Sequence, residues 1–140
     1  MSSDVTREVD LPAPPEEVWE QVTRSDRLGE WLEAGVELEP RPGGSGSFRF
    51  ADGEVRRALV RDVEPGQRLA FTWWPLTGDE VGRATSVTIT IEPTDAGSRL
   101  RLVESGFASL PPDLRGGCHH SNTRGWQREL GELAQYLAVQ

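Results

Sequence analysis

The sequence predicts an α+β fold: a curved antiparallel β-sheet wrapped around a long C-terminal α-helix, with two short helices after the first strand. Three observations predict it. From Gly46 to Phe107 the chain is dominated by period-two segments broken at turn residues. Straight after the first alternating segment, Pro14 and Pro15 open a helical pattern. Near the C-terminus, Trp126, Leu130, Leu133, Ala134 and Leu137 recur at i, i+4, i+7, i+8 and i+11, which is one stripe of a helix. A sheet with one apolar face must cover that face, and this helix is the only long amphipathic element available.

The elements follow in order. VTREVDL places Val5, Val9 and Leu11 on one side with Arg7, and Thr6, Glu8 and Asp10 on the other, a half-buried strand. In PAPPEEVWEQVT the prolines start a helix and Glu16 and Glu17 suit its positive end, while Val18, Trp19 and Val22 form its buried stripe. Ser25 reads as the N-cap of a second short helix running through Leu28 to Trp31 and Leu32. PRPGGSGS, residues Pro40 to Ser47, is a flexible loop. GSFRF is a strand ending in an Asp52-Gly53 turn. EVRRALVRDVEPGQRLAFTWWP is two strands turning at Glu64-Pro65-Gly66-Gln67, and ATSVTITIEPTDAGSRLRLVESGF is a hairpin turning at Thr94 to Gly97. Alternation puts Leu69, Phe71 and Trp73 on one face, as it does Val87, Ile89 and Ile91, and then Leu100, Leu102 and Glu104. Trp74 has the opposite parity and belongs on the outer face or at an edge. The last helix runs from about Gly116 to Val139, weakened by Gly125 and Gly131.

At 140 residues the chain is expected to be one domain, residues 1–140. A domain of that size buries roughly 68–70 % of its unfolded surface, so it needs neither disulfide nor metal to hold a core. The single cysteine excludes an internal disulfide, and no Cys-x-x-Cys pair is present. The start, MSSDVTREVDL, lacks the pattern of a secretory signal, and no apolar run approaches the roughly 20 residues that span a bilayer. A cytoplasmic protein without membrane insertion is expected. The formal net charge of −8 argues against nucleic acid or an anionic membrane as partner. All fifteen basic residues are arginine, which excludes a Schiff-base lysine and a phosphate-loop lysine.

Five phrases carry a resemblance: APPEEVWEQVT (Ala13 to Thr23), SDRLGEWL (Ser25 to Leu32), DVEPGQRLAFTWWP (Asp62 to Pro75), SVTITIEPTDAGSRLRLVESGF (Ser86 to Phe107) and GWQRELGELAQYL (Gly125 to Leu137). In this order the chain resembles the START-like (SRPBCC, birch-pollen-allergen-like) superfamily with the helix-grip fold. Within it the chain is similar to bacterial single-domain homologues of the C-terminal domain of the heat-shock-protein-90 ATPase activator. The resemblance implies a cavity between sheet and long helix. Members bind hydrophobic small molecules, act as polyketide cyclases or aromatases, sequester toxic natural products, or act as co-chaperones. They share no catalytic signature, so fold does not give reaction.

Trp31, Phe48, Phe50, Phe71, Trp73 and Trp126 all fall on inward faces. They either fill a core or line a cavity that favours a flat aromatic ligand. The resemblance assigns Trp31, Phe71, Trp73 and Trp126 to the cavity surface. Glu104 sits where alternation demands an apolar residue; a carboxylate buried there is costly unless paired or protonated, and burial favours the form a general acid needs. Its bland alternative is a wet strand end, or a pair with an arginine.

Cys118, His119 and His120 bring the only cysteine and both histidines together. Projected back from Trp126, the residues Thr123, Asn122, His119 and Cys118 fall on the same broad stripe and His120 points off it. His119 would then face the sheet's mouth, within reach of Glu104. If the backbone there is a loop, the projection fails. Adjacent helical residues point about 100° apart, so the triplet fits no metal site, and no metal or cofactor is expected. A Cys-His nucleophile lacks an oxyanion hole.

Three functions follow. The first is binding of a hydrophobic, aromatic or polyketide-like small molecule by a monomer or homodimer, with Glu104, Asn122 and His119 as polar contacts beside the aromatics, Cys118 and Thr123. The second is a cyclase- or hydrolase-type enzyme with Glu104 and His119 as acid and base. The third, ranked last because the chain has no room for the additional domain of the full eukaryotic activator, is a co-chaperone-like interaction domain.

Overall fold

The computed structural model describes residues 4–50, 53–76, 84–106 and 112–138, with side chains of the last segment described from Gly125 onward. Strand β1 (Val5–Leu11) leads into helices α1 (Pro15–Thr23) and α2 (Ser25–Leu32). Strands β2 (Ala34–Leu38), β3 (Ser45–Phe50), β4 (Val55–Glu64), β5 (Arg68–Pro75), β6 (Thr85–Thr94) and β7 (Gly97–Ser105) follow, and helix α3 (Pro112–Ala138) ends the chain. All seven strands form one curled antiparallel sheet in the order β1-β7-β6-β5-β4-β3-β2. From β2 onward each strand pairs with the next, as short connections dictate. α1 and α2 make the long move along the sheet, carrying the chain from one edge strand to the other. α3 packs against β1 and α2. This is the α+β helix-grip architecture the pattern predicts.

The period-two segments keep their expected faces. Leu69, Phe71, Trp73, Val87, Ile89, Ile91, Leu100, Leu102 and Glu104 are all buried, and Trp74 turns the other way, opposite Arg57. β4 bulges between Val60 and Asp62, a device that bends a strand and sharpens its twist. Arg68 reaches back to Asp62 at 2.6 Å and Glu64 at 2.9 Å across this turn.

Three expectations change. β2 is an additional edge strand in AGVEL, where only Leu38 is fully buried and the apolar signal is weak. α3 starts at Pro112, about a turn earlier than Gly116, with proline tolerated because the first N–H of a helix is unpaired anyway. Ser25 is not the cap of α2: Arg24 holds that position without a side-chain cap bond, and Ser25 Oγ accepts from the Leu38 amide at 2.9 Å, tying α2 to β2.

The β6–β7 turn is seated on the link between β1 and α1. Ser98, fully buried, donates from Oγ to the Ala13 carbonyl at 2.6 Å. Gly97 lies so close to this link that a Cβ there would meet the Leu11 carbonyl oxygen and sit 2.7 Å from the Ala13 nitrogen.

Where α3 meets α2, the Tyr136 hydroxyl donates to Glu30 Oε2 at 2.5 Å and accepts from Arg27 Nη1 at 3.2 Å. Two turns before Tyr136 on α3, Glu129 is 6 % exposed and its Oε2 is buried with no hydrogen-bond partner among the described residues. Burial pushes the Glu129 carboxyl above the ordinary carboxylate range; the Arg128 pair opposes this, and Glu132 and Glu33 add to it. A carboxyl raised in the folded state retains protons that the unfolded chain has lost, so stability falls as pH climbs from the ordinary carboxylate range through the folded value. Glu129→Met is expected to raise stability by about 1 kcal/mol at pH 7. The gain should shrink toward acid pH in urea unfolding curves, and a gain that grows on acidification would contradict this account.

Candidate functional site

Antiparallel register brings the site together. On the inward face, Phe71 lies opposite Val87 and Val87 opposite Glu104, while Trp73 lies opposite Thr85. Glu104 therefore sits on β7, one strand in from the β1 edge, with Val5 of β1 on its other side. It is 0 % exposed. A carboxylate there needs donors, and three elements supply them. Trp73 Nε1 donates to Oε2 at 2.9 Å, Thr85 Oγ1 donates to the same oxygen at 2.5 Å, and Trp126 Nε1 of α3 donates to Oε1 at 2.8 Å. The wet strand-end reading of Glu104 gives way to full burial, with two indoles and a hydroxyl among its donors.

This node orients two indoles. Trp73 and Trp126 stack with centroids 5.5 Å apart and planes 20° from parallel, each pinned by its N–H to a different oxygen of one carboxylate. Indole donors fix ring orientation as well as position. From Trp73 the aromatic contacts continue edge-on to Phe71 at 5.6 Å and Phe48 at 5.5 Å. Phe48 in turn stacks with Phe71 at 6.1 Å and Phe50 at 6.5 Å. The result is a row of rings from β3 across β5 to α3. Phe50, at its far end, is only partly buried.

Among the residues expected to bind ligand, the structure gathers Phe48, Phe50, Phe71, Trp73, Glu104 and Trp126 into this row and its anchor. Trp31 is buried in α2, where its Nε1 donates to the Gln21 carbonyl at 3.0 Å and so ties α2 to α1. The backbone of α3 is helical through Cys118, His119, Asn122 and Thr123, as the projection onto one stripe required. Their side chains lie outside the described residues, and so does the reach of His119 to Glu104.

Two residues at the site were not singled out from the sequence. Thr85 shares parity with Val87, Ile89 and Ile91, so the same alternation that exposed Glu104 points it inward. Arg56 shares parity with Ala58 and Val60 and is 9 % exposed. Its guanidinium carbon lies 4.5 Å from the Trp73 ring centroid, and its Nε donates to Glu54 Oε1 at 2.7 Å. In EVRRALV one of two adjacent arginines had to face the core, and that was the available signal.

No helix among the described residues is long and apolar enough to cross a membrane. The curled sheet is compatible with ligand binding. Solved structures share this architecture. Protein MLL2253 from Mesorhizobium loti is 28 % identical, with a TM-score of 0.85 over 97 % of each chain. BH1534 from Bacillus halodurans is 26 % identical, with a TM-score of 0.77 over 96 % of each chain. DynU16, a protein of the dynemicin biosynthetic locus, is 30 % identical with a TM-score of 0.83; the match covers 99 % of this chain but 48 % of DynU16, about half its length. No curated protein matches the chain. The model of the family described as activator of Hsp90 ATPase homolog 1-like protein matches residues 12–138, from the link before α1 to the end of α3, and the chain belongs to that family.

Proposed function

We propose that this chain binds a hydrophobic, planar aromatic or polyketide-like small molecule between the sheet and α3. The observation that carries the reading is the row of rings from Phe50 to Trp126, ending on an indole pair whose orientation is held by Glu104. Simple core packing does not need a buried carboxylate to set ring angles, whereas a stacking surface for a flat ligand gains from rings that do not turn. The likeness to a protein of a biosynthetic locus supports a natural-product ligand. Glu104 serves in this reading as the acceptor that fixes the wall, with His119 and Asn122 as polar contacts from α3. Residues 1–140 act as one unit, without a cofactor.

Two tryptophans in the row give a direct readout. Titration with a library of planar aromatic compounds is expected to quench tryptophan fluorescence for a subset, with micromolar dissociation constants. Native mass spectrometry of protein from its own host should show a co-purifying small molecule. Unchanged fluorescence across the library, together with a bare mass, would sink the proposal.

A further inference from the structure

We propose that Arg56 is the residue that recognises an acidic group on the ligand, so that the ligand class is a planar aromatic acid; this rests on the small-molecule reading above and narrows it. Alternation along β4 turns Arg56 to the same side as Ala58 and Val60, a face lined mostly by apolar and aromatic groups. Removing a guanidinium from water is costly, and it persists only where its surroundings compensate. Two contacts do so here. Glu54 accepts from Nε at 2.7 Å, and the guanidinium lies over the Trp73 ring at 4.5 Å, close enough for attraction between cation and ring face. Both hold the guanidinium plane while leaving its outer fork unused. Neither Nη1 nor Nη2 has a hydrogen-bond partner among the described residues, and neither is a buried orphan, so both stay within reach of an incoming group.

A guanidinium offers five N–H donors in a rigid fork that matches a carboxylate. In Arg56 one of the five is engaged by Glu54. The fork stands beside the aromatic row: Phe48 is its cross-strand neighbour on β3, and the Phe48 ring touches Trp73. The carboxylate of Glu104 touches the same Trp73 from its own side and already receives two indole N–H groups and a hydroxyl. The inward face thus presents aromatic surface and an unengaged cationic fork side by side. A neutral hydrocarbon uses the first feature only; an aromatic acid uses both. In a chain of net charge −8 such a cation acts by contact and not by long-range attraction.

The test compares two fluorescent probes with the same rings, 1-anilinonaphthalene-8-sulfonate and the neutral N-phenyl-1-naphthylamine. Arg56→Met keeps an unbranched apolar stem and removes the guanidinium. It is expected to weaken the sulfonate probe roughly tenfold to a hundredfold and the neutral probe less than about threefold. Arg101→Met, at an exposed position on β7, should leave both unchanged. An equal loss for both probes, or no loss for either, overturns the assignment while leaving the small-molecule reading intact. Binding of neither probe to the unaltered protein overturns both. A comparison that needs no variant covers the case in which Arg56→Met does not fold. Naphthalene-2-carboxylate should displace the neutral probe at a concentration about tenfold below that required for naphthalene-2-carboxamide. Equal potency of the two again overturns the role of Arg56.

Discussion

Glu104→Leu is expected to destabilise the fold by about 3 kcal/mol, despite placing an apolar residue where strand alternation calls for one. The reason is the set of donors left behind. The Trp73 and Trp126 N–H groups point at Glu104 from fixed rings and have no freedom to find another acceptor, whereas the Thr85 hydroxyl can rotate. Each orphaned buried donor costs about 1–3 kcal/mol, and the extra apolar burial of leucine offsets only part of the sum. Glu104→Gln should cost less, about 2 kcal/mol, since its amide oxygen still accepts on one side while its NH2 faces an indole N–H on the other. Urea unfolding followed by tryptophan fluorescence measures both. If Glu104→Leu unfolds within about 0.5 kcal/mol of the parent, the carboxylate is not what holds α3 to the sheet. A fold-preserving Glu104→Gln that also loses affinity for aromatic ligands would tie the fixed ring angles to binding.

The second large effect is expected at Gly97. Its φ is +152°, a value L side chains rarely adopt, and an added Cβ meets the Leu11 carbonyl oxygen as well as the Ala13 nitrogen and oxygen. All three are backbone atoms of the link into α1, so no flexible side chain can yield. Gly97→Ala is expected to cost at least about 3 kcal/mol, through backbone strain and a forced shift of that link. Because Ser98 fastens the same link through Ala13, the loss should appear as a lower unfolding midpoint and as earlier proteolysis near Pro12. An alanine variant with parental stability would show that the β6–β7 turn is not the seat of α1.

Much of this was legible in the chain because period-two alternation is a local property. It put Glu104 on the inward face before any neighbour was known, and the same rule, applied to Arg56 and Thr85, would have found them too. β2 was not legible, because AGVEL carries a glycine and one fully buried apolar residue, and edge strands bury little. The role of Ser25 was misread for a different reason. Its residue type and position suited a cap, but its hydroxyl is taken by Leu38, thirteen residues away, a contact that helix rules cannot see.

The class of fold, the inward faces of β5, β6 and β7, and the helical stripe that carries Trp126 are readable from the chain alone, since each depends on spacing within one segment. What those faces do together depends on packing between distant segments. Trp73, Thr85 and Trp126 come from two strands and a helix, and their convergence on one carboxylate depends on strand register and on how α3 lies across the sheet. The same holds for Arg56 over Trp73, which lies seventeen residues further along the chain. A hydrogen bond or a ring contact is made at about 3 to 5 Å between side chains, and no one-dimensional pattern specifies that distance for groups brought together by packing.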